Sequence, residues 1–348
     1  MFTTTHTARE KIQHSIYVVP PILSSFVILM HFSTTARSNI SRILCKISEV
    51  DEIFKQKEKE LYNHTRLYII LQLISIIAVR LGLWVFDSYV LCKRKCFMFT
   101  PIIVPSLLNT MIIVQFLNFT LIIKKKYKVV NEYLSSLSTP RGKPVAEFLS
   151  RALPSFIELS DLGELYIKMY DVVMLICSTY GIPLLAIMLW LVTSLVAAVT
   201  FILQTSAEEF KLNDILNTSL FLLSLTALTL PCHLTVQESI KSSILLQKAL
   251  LYREDKDRIQ IERLLQQFRT MKVQFSVCGF FRLDLPLLCG ILGIACTYVA
   301  VIAQSESRSF TTIQKNRKIG CSEYDDKLFT TIQQQQPLCD TLLRRYGK

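Results

Sequence analysis

Arg80, Trp84 and Asp87 stand at i, i+4 and i+7 in an otherwise apolar run, so on a helix they share one face. A guanidinium, an indole and a carboxylate on one face can bind a small molecule, the charges orienting it and the ring supplying apolar area. The same spacing also serves a structural Arg-Asp pair near a membrane interface, where Trp is common. Trp190, Thr193 and Ser194 form a second such set, one aromatic ring with two hydroxyls. A third lies further on, where Thr297, Val301 and Gln304 again follow i, i+4 and i+7. Uncharged polar groups on one face of an apolar helix either line a polar path or serve the backbone locally, with Gln304 capping the helix and Thr297 bonding its own turn. Nothing in these sets does covalent chemistry. The sequence has no HExxH, no GxSxG and no phosphate-cradling GxxxxGK[ST], and its five histidines are isolated. The expectation is a protein that is not an enzyme and holds no catalytic residue, cofactor or metal.

The elements that must position these residues are membrane helices. Hydrophobic residues make up 51% of the 348 and charged residues only 19%, with a mean hydropathy of +0.38, outside the usual range of a soluble domain. A bilayer core of roughly 30 Å takes about 20 apolar helical residues. Runs at 12–36, 97–123, 172–203, 215–235 and 285–303 meet that need without internal Asp, Glu, Lys or Arg, and a sixth at 67–90 is interrupted by Arg80 and Asp87. The first run has an alternative use as a cleaved leader, since Arg9 and Lys11 precede it; Pro20-Pro21 in its middle and the lack of a small-residue cleavage site weigh against that. Of the ten cysteines, Cys177, Cys232, Cys289 and Cys296 fall inside apolar runs, where Cys acts as a small hydrophobe. Spacing does not fix any pairing of Cys92, Cys96, Cys321 or Cys339.

The net charge of +12 acts here through its location. Counting Lys and Arg between the runs gives 23 in the odd-numbered loops and 4 in the even-numbered ones. Cytosolic loops are enriched in these residues, so the odd loops face the cytosol and the C-terminus faces out. Eight basic residues in the segment after Ala303 argue weakly the other way. The basic residues are thus orientation signals, and no nucleic-acid partner is expected. Asn217-Thr-Ser is the one glycosylation sequon beside a predicted outer loop.

Between the fifth and sixth runs, residues 236–277 are long enough for an extended cytosolic helix with Ile240, Ile244, Leu251, Ile261, Leu264, Leu265 and Phe268 as its apolar stripe. It leads into GFFRLDLPLLCGILGIACTYVAVIAQ. This passage resembles the C-terminal signature of the insect gustatory receptor family, seven-transmembrane chemoreceptors, through Gly279, Phe280, Phe281, Asp284, Thr297, Tyr298 and Gln304. Glu238, the Leu-Leu-Gln-Gln-Phe run at 264–268 and the passage from Tyr170 to Leu185 also fit, so the likeness is strong over residues 165–304 and vague before them.

The resemblance implies an all-α, polytopic membrane helical bundle with inverted topology, a multi-pass plasma-membrane protein with six visible spans of an expected seven. An N-terminally incomplete chain accounts for the missing first span. Residues 1–304 are the expected transmembrane receptor and channel domain, and 305–348 a polar, disordered tail rich in Gln. By the same resemblance the function is a gustatory chemoreceptor: a subunit of a tastant-gated, poorly selective cation channel, working as a homo- or hetero-tetramer with other such subunits. Its partners are a small-molecule tastant and membrane lipid. Thr297, Val301 and Gln304 would line the pore, and Arg80, Trp84, Asp87, Trp190, Thr193 and Ser194 are ligand-binding candidates. Two departures bear on tuning and length: Ser305 replaces the motif's final Phe, and Val299 replaces the Glu of the main sugar-sensing branch. A G-protein-coupled or other non-channel signalling receptor is the alternative, though it would keep its C-terminus inside. A secondary transporter would show related halves, and no internal repeat is evident.

Overall fold

The computed structural model describes residues 8–54, 100–137, 159–204, 208–252, 255–301 and 304, with isolated positions between 74 and 85. By contact density, Met1–Gly293 is one compact unit and Ile294–Lys348 another. The first unit holds a bundle of long helices. Helix α1 (Ala8–His31) passes through a π turn (Phe32–Ala36) into α2 (Arg37–Phe54). There follow α3 (Thr100–Leu137), α4 (Leu159–Gln204), α5 (Glu208–Tyr252) and α6 (Asp255–Thr270). A two-stranded antiparallel hairpin, β1 (Ser276–Val277) and β2 (Phe281–Arg282), then leads into α7 (Leu285–Val301).

Among the described residues, four helices are long and apolar enough to cross a membrane, through the windows Val18–Thr35, Val104–Ser135, Asp161–Thr200 and Ile215–Leu251, and Leu285–Val301 is a shorter apolar helix. Most of the run at 67–90, with Arg80, Trp84 and Asp87, lies outside the described residues. In lipid every backbone polar group must be met within the protein, so uninterrupted helices are the permitted form. Val19, Leu23, Phe26 and Met30 of α1 recur along one stripe, each more than half exposed, as lipid-facing side chains are.

The helices run well past their apolar stretches. At 1.5 Å per residue, the 38, 46 and 45 residues of α3, α4 and α5 reach about 57, 69 and 68 Å, roughly twice the hydrocarbon thickness. The excess forms a base, built from the end of α3, the start of α4, the end of α5, and α2 and α6. Charges concentrate there and are paired across helices: Lys46 of α2 with Asp171 of α4 at 2.8 Å, and Asp51 of α2 with Lys126 of α3.

Residues 236–277 do not form one extended helix. Their first part continues α5 to Tyr252, and α6 begins at Asp255 as a separate element. The cause is burial. Helix α6 packs its Ile261, Leu264, Leu265 and Phe268 inward, while Ile240, Ile244 and Leu251 of α5 stay exposed. The anchor is Tyr166 of α4, whose ring stacks on Phe268 at 3.7 Å between centroids and meets Tyr127 of α3 edge-on at 5.8 Å. Gly163 lets α6 approach this closely, because a Cβ there would lie 2.7 Å from Leu264 Cδ2.

Candidate functional site

Three places in the bundle carry polar chemistry. In the half of α4 distal to the base, Trp190 is buried and meets Phe221 of α5 edge-on at 6.0 Å. Ser194, one turn on, is buried on the same face. Thr193 is exposed, and its hydroxyl donates to the Leu189 and Trp190 carbonyls at 2.8 and 3.0 Å. The structure thus brings Trp190 and Ser194 together and turns Thr193 outward, as a rotation of about 100° per helical residue requires.

Between α1 and α3 lies a second polar group that the apolar-run reading passed over. The buried Asn109 amide donates to Ser24 Oγ at 2.6 Å and its carbonyl oxygen accepts from Ser25 Oγ at 3.3 Å. The one Ser25 hydroxyl hydrogen is shared between that oxygen and the Pro105 carbonyl, 3.0 Å away, and Ser24 donates to the Pro21 carbonyl at 3.1 Å. Each of the three polar side chains has a partner within the protein, which makes the cluster a tie between two helices. Its signal in the sequence is polar residues one helical turn from Pro21 and Pro105.

In the base, Asn131 of α3 repeats the pattern. It donates to the Glu238 carbonyl and carboxylate at 2.9 and 2.8 Å and accepts from Ser242 at 2.6 Å. Beside it, Tyr166 lies 3.1 Å from Ser239 Oγ and donates to the Met271 carbonyl at 3.2 Å, so the chain leaving α6 is tied to α4 and α5.

The signature residues occupy the hairpin and α7. Cys278 and Gly279 both take positive φ, 50° and 75°, as the two central residues of the turn Val277–Phe280, which the Phe280 amide closes by donating to the Val277 carbonyl at 2.9 Å within a three-residue hairpin loop. Glycine adopts that conformation freely and Cys278 at a cost. Desolvation raises the Cys278 thiol above its ordinary value. Phe280 is 77% exposed and Phe281 pairs with Val277 across the strands. Asp284 caps α7: its Oδ1 accepts the Leu287 amide at 3.0 Å, and Pro286 falls in the first turn, where a missing N–H costs nothing. Along α7, Leu288 and Ile291 are buried, whereas Ile294, Thr297, Tyr298 and Val301 are exposed, as is the helical residue Gln304. Thr297, Val301 and Gln304 therefore sit on one exposed face. Among the described residues no group of three or more His, Cys, Asp and Glu is placed to hold a metal ion.

This architecture has known counterparts. A family model described as 7tm chemosensory receptor matches residues 11–308. No curated protein matches the chain. The solved insect olfactory receptor OR5 from Machilis hrabei is similar with a TM-score of 0.65 at 14% identity, over 87% of this chain and 83% of that one. The same receptor in complex with eugenol is similar with a TM-score of 0.65 at 14% identity, over 86% and 83%. At that identity the likeness is one of fold: a helical membrane bundle.

Proposed function

Since the chain belongs to the 7tm chemosensory receptor family and is a multi-pass membrane protein, we propose that it is a gustatory-type receptor subunit forming a tastant-gated cation channel. The observation that carries this reading is α7. A short apolar helix, fixed at its start by the Asp284 cap, exposes Thr297, Val301 and Gln304 on one face. Four such helices about an axis would make a narrow path ringed by hydroxyls, amides and valines. Apolar constrictions gate by dewetting, and uncharged polar rings pass cations with little discrimination. The Gly279-Phe280-Phe281 and Thr297-Tyr298 pairs favour taste over smell, because they resemble the gustatory signature.

The exposed Ile240, Ile244, Leu251 and Ile259 of the base supply apolar area for neighbouring subunits in a homo- or hetero-tetramer. Ligand would enter the half of the bundle distal to the base, where Trp190 and Ser194 face inward, and Arg80, Trp84 and Asp87 are further ligand-binding candidates by their sequence spacing. The eugenol-bound receptor of the same fold makes a small, mostly apolar molecule the reference class. The excess of Lys and Arg in the odd-numbered loops supports a cytosolic base and an outward C-terminus.

Recording from the purified protein in planar bilayers tests the proposal, with a panel of sugars, bitter compounds and eugenol applied to the distal side. Unitary cation currents gated by a panel member are expected. Ligand binding without any current would transfer the protein to the non-channel receptors, and saturable uptake without unitary steps to the transporters. Staining an epitope after Lys348 on intact cells checks the orientation.

A further inference from the structure

Pro183 lies inside α4 and carries no N–H. In an α-helix the amide of residue 183 would bond the carbonyl of residue 179, so the Thr179 carbonyl loses its donor at a fully buried position. A replacement comes from another helix. His31 Nε2 lies 2.9 Å from the Thr179 carbonyl oxygen, and because a carbonyl only accepts, Nε2 carries the hydrogen and donates. His31 ends α1, and the π turn Phe32–Ala36 starts directly after it. The following residue continues the engagement, with the Phe32 ring edge-on to the Tyr180 ring at 6.3 Å. Phe116 and Phe119 of α3 close on the same tyrosine at 5.8 and 6.0 Å. One residue further, Gly181 receives the hairpin: a Cβ there would meet Cys278 Sγ at 3.1 Å and the Cys278 amide nitrogen at 3.3 Å.

Within five residues, then, α4 is met by α1, by α3 and by the hairpin that leads into α7. We propose that residues 179–183 are a joint through which α1 sets the position of that hairpin, with His31 as the positioning residue that holds it. Three local facts serve this role together. Pro183 removes one rung of the α4 ladder, which is where helices bend. The π turn, a form that recurs at functional sites, inserts the extra residue that lets His31 and Phe32 both reach α4. Gly181 lets the hairpin backbone rest on α4 without an intervening side chain, so a change in the α4 bend is passed to the hairpin at contact distance.

The inference rests on the receptor reading for its effect on gating but not for its test, which uses hydrogen exchange and mass spectrometry on the purified full chain in nanodiscs. His31→Ala strands the Thr179 carbonyl, while Pro183→Ala supplies the missing amide and makes His31 dispensable. His31→Ala is expected to speed exchange on the order of tenfold, the factor that goes with one net interior hydrogen bond, in α4 after Pro183 and also in the hairpin 275–283. In the Pro183→Ala background the same change is expected to fall within about twofold, since the two sites share one acceptor. His31→Gln, which keeps a donor, is expected to restore protection. Equal acceleration with and without Pro183 overturns the proposal, and so does an effect confined to α1 and α4 that leaves the hairpin unchanged. If His31→Ala alone does not yield folded protein, the double variant decides: folded double variant supports the joint, and an unfolded one refutes it. A wild-type protein that carries no current would remove the channel reading and leave these exchange rates to judge the joint separately.

Discussion

Helices α4 and α7 are both apolar, and the fold treats them in opposite ways. Along α4, Val172, Val173, Ile176, Tyr180, Ile187 and Leu191 are completely buried. Its hydroxyls mostly turn back on their own ladder, as Ser178, Thr179, Thr193 and Thr200 do by donating to carbonyls three or four residues earlier. Helix α7 buries Leu288 and Ile291 but leaves Ile294 68% and Val301 58% exposed, with Thr297 and Gln304 exposed as well. Apolar composition therefore identifies a membrane helix without saying what it faces. A core helix is recognised by the neighbours that cover it. A helix proposed to line a pore has faces left for other copies of the chain and for water.

That contrast predicts where substitutions cost stability and where they cost only function. The largest loss is expected at the foot of α4. Tyr166→Ala removes the stack on Phe268, the edge contact with Tyr127 and the hydrogen bonds to Ser239 and the Met271 carbonyl. Deleting a buried ring of this kind costs about 3–5 kcal/mol, so the purified protein should melt well below wild type or fail to accumulate. Tyr166→Phe keeps the rings and loses only the hydroxyl, and should recover most of that. A Tyr166→Ala protein with an unchanged melting temperature would break the comparison at its base.

How far the sequence reveals all this depends on which forces are local. The apolar runs at 12–36, 97–123, 172–203 and 215–235 mark the membrane helices because bilayer crossing imposes length and composition on contiguous residues. What the runs hide is non-local. Helices α3, α4 and α5 continue into the base because charged residues there pair with other helices, as Lys46 does with Asp171. The stripe at residues 240–268 is periodic throughout, yet only the part on α6 is buried, because Gly163 and Tyr166 lie a hundred residues upstream. The π turn has no sequence mark, and the tie of Asn109 to Ser24 and Ser25 becomes visible only when α1 and α3 are side by side. Trp190, Thr193 and Ser194 looked like one set and are split by helical rotation.

A smaller effect is expected at the junction between the two kinds of helix. Asp284→Ala deletes the side-chain acceptor of the Leu287 amide, and loss of an N-cap costs about 1 kcal/mol. Asp284→Asn keeps an acceptor oxygen and should lie closer to wild type. Melting temperatures of the two variants check the order. Equal losses would mean that the carboxylate charge, favoured at a helix N-terminus, matters more than the hydrogen bond.

The smallest effect on stability, and the sharpest test of the contrast, belongs to the exposed face of α7. Thr297→Ala and Gln304→Ala change side chains that are exposed rather than packed in the core. Substitutions at such positions usually stay within about 0.5 kcal/mol, so both variants should melt close to wild type. If the face lines a cation path, Gln304→Ala removes a ring of amides from its wall and should alter unitary conductance or ion preference several-fold while leaving the ligand concentration for half-activation nearly unchanged. Loss of conductance with intact folding puts water on that face. An unaltered conductance with intact folding puts lipid there instead, and makes α7 the same kind of helix as α1, whose apolar Val19, Leu23, Phe26 and Met30 are likewise exposed along one stripe.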